Sequence, residues 1–600
     1  MQTPLIARRD IQFQLFEVLQ AQALLQRERY REHSRETFEA ALDTAVRIAE
    51  DLFAPHQRLG DEQEPRIEDG KVVLPDGVKA AVRAYADAGF LAASVDEAAG
   101  GMQLPVLVTQ ACLSVFRSAN VATTSYVGLT ASNANVIEKF GTDLQRKRYL
   151  PALRSGRFFG TMALTEPQAG SSLADLHTQA TPMGDGRYRI KGQKVFISGG
   201  DHELGENIVH LVLARLADAP AGVRGISLFT VPKFHTDAQG QVGERNDVAL
   251  AGLIHKCGWR GTTSTMLSFG ENDACVGEMV GQPNDGLSCM FHMMNEARIG
   301  VGMGAIMLGY RGYLASLQYA RERTQGRSPA NRDPASPPLP LVAHADVRRM
   351  LLAQKCYVEG AYGLALYAAW LVDEQRTHTD AAQRQAAGLL LELLTPVVKS
   401  WPSQWCLEAN SLAIQVLGGY GYTREYPVEQ FWRDNRLNMI HEGTHGIQAL
   451  DLLGRKVAMQ DGAALAVMQP LVEGVVDNAM QQPLLKTHAQ ALRAAWQDVL
   501  GTVQALSAPL RTDREAVLAN ANLFLEAFGH TVLAWVWLRQ ATVAQQMLAF
   551  PVTDADEAFY RGKVQAAQWF FRWELPKVAP QLALLRSVDD SHHAMRDAWF

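Results

Sequence analysis

Cysteine, basic charge and long apolar runs are all in short supply in this chain. The six cysteines, Cys112, Cys257, Cys275, Cys289, Cys356 and Cys406, are scattered through 600 residues with no C-x-x-C pair. That spacing suggests neither a zinc site nor a disulfide framework, and reduced, buried thiols in a cytosolic protein are the expectation. Lys and Arg number 57 against 63 Asp and Glu, a net charge of -6 with a pI near 6.3. The basic face of a dedicated nucleic-acid binder is therefore not expected. No apolar run reaches the ~20 residues of a membrane span, so no stable membrane insertion is expected. Arg8-Arg9 is followed by Asp10, Gln12 and Gln14 rather than an apolar signal region. A cleaved secretion signal is not expected either, and a cytoplasmic location is.

What the chain does have is enough apolar material, 47% of residues, for a large core divided among three or four units. Up to about residue 160 apolar residues recur at helical spacing, as in Phe38, Ala41, Leu42, Ala45, Ile48 and Leu52. Short β-branched and aromatic runs separated by turn residues follow, clearest at 188–198, 208–216, 225–231 and 262–269, and predict an antiparallel β domain. Helical patterning returns near Leu287, is split by a Pro-rich loop at 328–340, and continues past Arg455. The last ~140 residues hold Trp496, Trp535, Trp537, Trp569, Trp573 and Trp599, and are expected to pack as an ordered unit. The fold class is mainly α with a middle antiparallel β domain. The expected divisions are 1–40, 41–160, 161–282, 283–456 and 457–600, the last an extra C-terminal helical domain.

Five fragments carry candidate chemistry. Thr161 to Ser172 offers hydroxyls and backbone N–H groups to a ring edge or a phosphate; an ordinary polar loop is the plain alternative. In Lys194-Val-Phe-Ile-Ser-Gly-Gly200 an aromatic stands two residues before a hydroxyl, fit to flank a flat cofactor or simply to end a strand. After Asn295-Glu-Ala-Arg298, glycines at every second position imply close approach of a neighbouring helix or of a ligand. Tyr319 to Arg327 is a basic helix end in which Arg323 could clamp a phosphate. Finally, Gly418, Gly419 and Gly421 fit close passage of backbone over a ligand. They precede Ile440-His-Glu-Gly-Thr444, where Glu442 is a candidate general base for proton abstraction beside a carbonyl.

Taken in order, Ala163–Ser171, Gly192–Gly200, Asn295–Arg298, Tyr319–Arg323 and Gln415–Gln448 resemble the acyl-CoA dehydrogenase family over residues 40–456. The resemblance implies non-covalent FAD. Leu164, Thr165, Ser171, Phe196, Ser198 and Thr444 would contact the cofactor, with Thr165 and Ser198 bonding the flavin ring and Phe196 covering one face. Arg323, Gln325, Gln415, Gly418 and Gly419 would hold the pyrophosphate and adenosine of a neighbouring subunit's FAD, which makes a homodimer the minimum functional unit. Ser171, Arg298 and Gly443 would line the acyl-CoA site. Glu442 would remove the α-proton of the thioester as the β-hydride passes to flavin N5, and electrons would go on to electron-transferring flavoprotein. No metal is implied.

Three departures stand out. His441 occupies a position where many relatives have Tyr, which points to unusual pH behaviour beside the base. Ser172 replaces a frequent Asp. Ala297, just before the matching arginine, leaves Glu442 without a rival base. The added length at both ends resembles a bacterial subgroup that includes 3-(methylthio)propanoyl-CoA and long-chain acyl-CoA dehydrogenases. Met162, Met290, Met293 and Met294 are candidates for the wall of an acyl channel. An oxygen-using acyl-CoA oxidase is the nearest alternative. A DNA-associated flavoprotein of the same fold is a more distant one, though 11 Lys and Arg against 14 Asp and Glu in 457–600 give it no basic groove. A flavin-free scaffold is the third.

Overall fold

The computed structural model describes residues 4–331 and 333–600, without the side chains of residues 291–295. The channel candidates Met293 and Met294, and Asn295 of the third fragment, fall outside the described residues. The chain forms two compact units, one spanning Arg35–Ala297 and one joining Met1–Ser34 to Arg298–Phe600.

The first unit opens with helices α1 (Arg35–Ile48), α2 (Val106–Ala119), α3 (Val121–Phe140) and α4 (Asp143–Arg154). In α1 the apolar stripe buries Phe38, Leu42 and Ala45 as expected. The following turn, Ala49–Phe53, is a π-turn that adds a residue to the repeat. It moves the buried positions to Ala49 and Phe53, leaving Ile48 and Leu52 half-buried. Asn120 caps α3 through the Thr123 N–H, and Thr142 with Gln145 forms a capping box on α4.

An eight-stranded sheet follows, made of β1 (Phe158–Ala163), β2 (Gln179–Pro182), β3 (Arg187–Ser198), β4 (Asn207–Leu216), β5 (Ile226–Pro232), β6 (Val248–Leu253), β7 (Ser264–Phe269) and β8 (Val276–Val280). Their order is β6-β7-β3-β8-β5-β4-β1, and β2 pairs both β3 and β4, closing five strands into a ring. The expected all-antiparallel sheet is corrected here. β1 runs parallel to β4 over six residue pairs and β2 parallel to its end, so the sheet is mixed. Strand alternation divides the core: Val209, Leu211 and Leu213 of β4 pack with Val136, Ile137 and Leu153 of the helices, whereas Val212 and Ala214 pack with Phe229 and Val231. A strand buried on both faces reads as a continuous apolar run, as β4 does.

The second unit contains the long helices α5 (Gly286–Glu322, whose first turns lie in the other unit), α6 (Ala345–Thr377) and α7 (Ala381–Leu417). The short α8 (Val428–Arg436) and α9 (His445–Asp451) come next, then α10 (Ala463–Met480), α11 (Lys486–Leu506), α12 (Ala521–Met547), α13 (Asp554–Trp573) and α14 (Val578–Arg586). A Cβ on Gly302 of α5 would collide with the Val398 carbonyl of α7. The glycine run therefore serves helix-helix packing at this position, one of the two readings above. Trp496, Trp535, Trp537 and Trp569 are buried in the C-terminal helices. Trp573 and Trp599 are not, at 55% and 59% exposed. Trp573 instead stacks on Trp569 with ring centroids 5.9 Å apart. Cys257 is likewise exposed, while the other five thiols are buried as expected.

The first residues of the chain are fastened to helices far along it. Lys563 Nζ on α13 lies 2.5 Å from Asp10 Oδ1 and 2.7 Å from Glu359 Oε2 on α6. The Tyr310 hydroxyl donates to Asp10 Oδ2 at 3.0 Å, and the rings of Phe13 and Phe559 meet edge to face at 5.3 Å. Among the described residues no helix is long and apolar enough to cross a membrane, and no group of three His, Cys, Asp or Glu is placed to hold a metal ion.

Candidate active site

In the first unit the loop after β1 is locked to β3. The Val195 N–H donates to the Thr165 carbonyl at 3.0 Å. Lys194, fully buried, donates to the Leu164 carbonyl at 3.0 Å and to Glu166 Oε1 at 2.8 Å. Glu166 also accepts from the N–H groups of His177 and Thr178. Burial opposes its charge, but the Lys194 ammonium and these donors win and hold its carboxyl down at about 2. Burial in turn lowers Lys194 to about 8, against the pull of Glu166. The pair thus fixes where Leu164 and Thr165 stand relative to Phe196.

Phe196 occupies a β-bulge. Lys194 faces Leu267 and Ile197 faces Thr265, so two residues of β3 oppose one of β7. The bulge gives Phe196 a φ of 58° and turns its ring out, 64% exposed. A left-handed backbone at an aromatic residue costs about 1–3 kcal/mol and marks functional positions. Ser198, two residues on, is exposed at the end of the strand, and Ser171 and Ser172 are exposed in the loop. An outward aromatic, a hydroxyl and a fixed backbone edge match what one face and one rim of a flat ring need. Met162 and Met290 of the proposed channel wall are core residues here, Met290 buried and Met162 packed against the same cluster.

In the second unit the acidic candidate is presented on a constrained turn. Glu442 has a φ of 54°, and Gly443, at 84°, continues the left-handed path. Thr444 caps α9, its hydroxyl accepting from the Ile447 N–H at 3.3 Å. The Gln448 side-chain amide donates to the Glu442 carbonyl at 3.2 Å. Lys399, a residue the sequence reading passed over, donates from Nζ to the carbonyls of Asn438 at 2.7 Å and Gly443 at 2.8 Å. The available signal was a single lysine in the apolar stretch 387–406 of α7. Burial raises the Glu442 carboxyl above its ordinary value, while the charges of Lys399 and Arg298 pull it back. Arg298 is 4% exposed and paired with Asp451 at 3.2 Å, so it enters the site as a charge near the base.

His441 precedes Glu442 on the same turn. Its Nε2 lies 3.1 Å from Asn438 Oδ1, and burial with the Lys399 charge pushes the ring down to about 3. Both causes favour the neutral ring over the imidazolium. Lys399, lowered by burial to about 7, is the group beside the base that titrates near neutrality.

The remaining candidates gather at one end of the second unit. Tyr319 and Ala320 of α5 share a cluster with Val416 and Leu417 of α7, and the Leu341 N–H donates to the Arg323 carbonyl. Arg323, Gln325, Gln415, Gly418 and Gly419 are all exposed there, and Arg323 donates to Gln325 Oε1 at 3.3 Å. A Cβ at Gly418 or Gly419 would meet nothing within 4 Å, and Gly418 has a φ of 61°. The glycines leave open room for another molecule's backbone or phosphates.

Residues 35–157, 161–270 and 284–457 match, in order, the N-terminal, middle and C-terminal domains of acyl-CoA dehydrogenases. Residues 465–596 match the acetyl-CoA dehydrogenase C-terminal-like domain. The 3-methylmercaptopropionyl-CoA dehydrogenase of Ruegeria pomeroyi is 36% identical, over 97% of this chain and 98% of its own length. The broad-specificity linear acyl-CoA dehydrogenase FadE5 of Mycobacterium tuberculosis is 35% identical over 99% of both chains. Among solved structures, Caenorhabditis elegans ACDH-11 in complex with C11-CoA aligns with a TM-score of 0.76 at 18% identity, over 90% of this chain and 88% of that one. An acyl-CoA dehydrogenase of Bacillus anthracis complexed with FAD aligns at 0.74 and 19% identity, over 95% and 91%. This chain belongs to the acyl-CoA dehydrogenase family and is an oxidoreductase of acyl-CoA thioesters.

Proposed function

We propose that the protein is an FAD-dependent acyl-CoA dehydrogenase in which Glu442 is the base that removes the α-proton of the thioester. The carrying observation is the carboxylate itself. It sits partly buried on a left-handed turn held by Gln448 and Lys399, with its basicity raised by burial. A base of raised pKa, fixed in place, is suited to a weakly acidic C–H beside a carbonyl. The charges of Lys399 and Arg298 favour its ionised form against that burial.

The residues present fit FAD. The outward Phe196 ring, the Ser198 hydroxyl and the fixed Thr165 edge suit the isoalloxazine. The exposed Arg323 fork, Gln325, Gln415 and the open glycines at 418 and 419 suit a pyrophosphate and adenosine. When bound, the flavin supplies the acceptor for the two electrons leaving with the β-hydrogen. Leu164, Ser171 and Thr444 complete the cofactor set, and Ser171, Arg298 and Gly443 the acyl-CoA set. The adenosine-side residues serve a second copy of the chain in a homodimer, and electron-transferring flavoprotein is the electron acceptor.

The test is an anaerobic titration of the holoenzyme with acyl-CoAs of graded chain length, following flavin bleaching. Glu442→Gln should retain FAD and bind acyl-CoA yet bleach at least about 10³-fold more slowly, the usual scale for loss of general-base catalysis. Bleaching at the wild-type rate would refute Glu442 as the base.

A further inference from the structure

We infer that Lys399 is the positioning residue of this active site: its ammonium closes the turn that presents Glu442 and offsets the carboxylate's charge while it waits for substrate. The inference rests on the assignment of Glu442 as the base and adds how that base is held and tuned.

Nothing in the local sequence of 438–443 accounts for the turn. Glu442 adopts a backbone conformation that non-glycine residues enter at a cost of about 1–3 kcal/mol. Such strain persists only where the surroundings over-determine it. Lys399 supplies that determination. It is fully buried on α7, and its Nζ binds the carbonyls of Asn438 and Gly443, one on each side of Glu442. Both acceptors are main-chain atoms. The ammonium is thus a staple across the turn, leaving both Glu442 oxygens for the substrate proton.

The far side of the staple is equally fixed. The Asn438 amide donates to Asn435 Oδ1, Asn435 donates to the Ala305 carbonyl of α5 and to Asn410 Oδ1 of α7, and Asn410 donates to the Leu308 carbonyl. Three buried asparagines therefore anchor the acceptor at one end, and Gln448 of α9 holds the Glu442 carbonyl at the other. Close contact of Gly302 on α5 with the Val398 carbonyl sets the depth of the helix that carries Lys399.

The titratable and charged groups facing Lys399 are Glu442 and His441 on the turn, His445 on α9 and Arg298 on α5. His441 and His445 are driven down to about 3 and about 4 and are neutral at working pH. Arg298 is itself paired with Asp451. Glu442 is thus the anion that Lys399 meets. On the acid limb of the rate profile, below the lysine's own titration, the ammonium is charged and depresses the base. When Glu442 accepts the substrate proton, the ammonium is left as the uncompensated charge. The protonated base is thereby primed to lose its proton again.

The experiment compares Lys399→Met, Lys399→Arg and Glu442→Gln as FAD-loaded enzymes, measuring the flavin reduction rate by stopped flow across pH 5 to 9 and acyl-CoA affinity separately. Lys399→Met should reduce flavin about 10²-fold more slowly, with its acid limb displaced upward by about one pH unit and acyl-CoA affinity little altered. Lys399→Arg, which keeps the charge but cannot place one nitrogen between both carbonyls, should lose about 10-fold in rate with the limb where wild type has it. A Lys399→Met enzyme with the wild-type rate and limb would overturn the inference. If that variant does not fold, a Lys399→Arg enzyme of wild-type rate, or one whose limb moves as far as a lost charge requires, overturns it instead. An active Glu442→Gln would remove the base assignment itself, whereas an inactive Glu442→Gln beside an unaltered Lys399→Met would remove only the role of Lys399.

Discussion

Replacing Lys563 by Met tests whether the buried charge cluster holds the first residues of the chain in place. Lys563 is fully buried and lies between Asp10, 1% exposed, and Glu359, 3% exposed. Removing it leaves two carboxylates facing each other with Lys355, 2.5 Å from Glu359, as the nearest cation. Burial already pushes the Asp10 carboxyl above its ordinary value, with Lys563 the largest opposing influence. Breaking a buried pair by removing one partner costs about 3–5 kcal/mol, because the other charge stays buried without compensation. At ~2.1 cal/mol/K per residue over the ~340 residues of the second unit, that loss lowers its melting temperature by about 4–7 °C. Calorimetry of the holoenzyme reads this directly, and limited proteolysis should show earlier cleavage near residue 34. Asp10→Asn in the Lys563→Met background should recover part of the loss, since it removes one of the stranded charges. A shift under 1 °C for Lys563→Met, or strict additivity of the two changes, would refute the reasoning.

Three other outcomes follow from the same structure. Phe196→Ala should leave the melting temperature of the flavin-free protein unchanged, as the ring is exposed, while FAD affinity falls about tenfold, or ~1.4 kcal/mol; unaltered flavin retention in equilibrium dialysis would count against the ring as a flavin wall. Gly302→Ala should destabilise by about 1–3 kcal/mol through its collision with the Val398 carbonyl, read as a lower denaturant midpoint, and should slow flavin reduction by shifting Lys399. Burial drives His202, His210 and His441 down to about 3 and His445 to about 4. Unfolded, each takes its proton near pH 6.5; folded, it does not. Their contribution is therefore fully present above pH 6.5 and is lost as pH falls, by up to about 1.4 kcal/mol per pH unit for each ring. Guanidinium midpoints at pH 7, 6 and 5 that stay level would contradict it.

How much of this was legible in the sequence depended on how local the cause was. Strands β3, β4, β5 and β7 were found because their apolar residues alternate or run together between turn residues. β1 was missed: Phe158–Ala163 is short and pairs in parallel with β4, a partner some fifty residues away and not the next hairpin. The shift of burial after Ile48 was hidden because a π-turn leaves no mark in an apolar repeat. Glu442, Phe196 and the glycines at 418 and 419 were visible through the order of whole fragments, since each alone has a plainer reading. Lys399 was invisible for the opposite reason. Its acceptors are carbonyls some forty residues further on, and a carbonyl carries no residue identity.

The staple between Asp10 and Lys563 also sets a timetable. Those residues are 553 positions apart, so the opening segment cannot reach its place until almost the entire chain has been made. At ~5–20 residues per second of synthesis the wait is about 30–110 s. During that interval Phe13, Leu15, Phe16 and Leu19, all buried in the finished protein, have no final seat. Arg35–Ala297, by contrast, is one continuous stretch and can close as soon as it has emerged. During synthesis the middle of the chain can thus be folded while the apolar segment around Phe13 stays unseated, until α13 arrives to dock it.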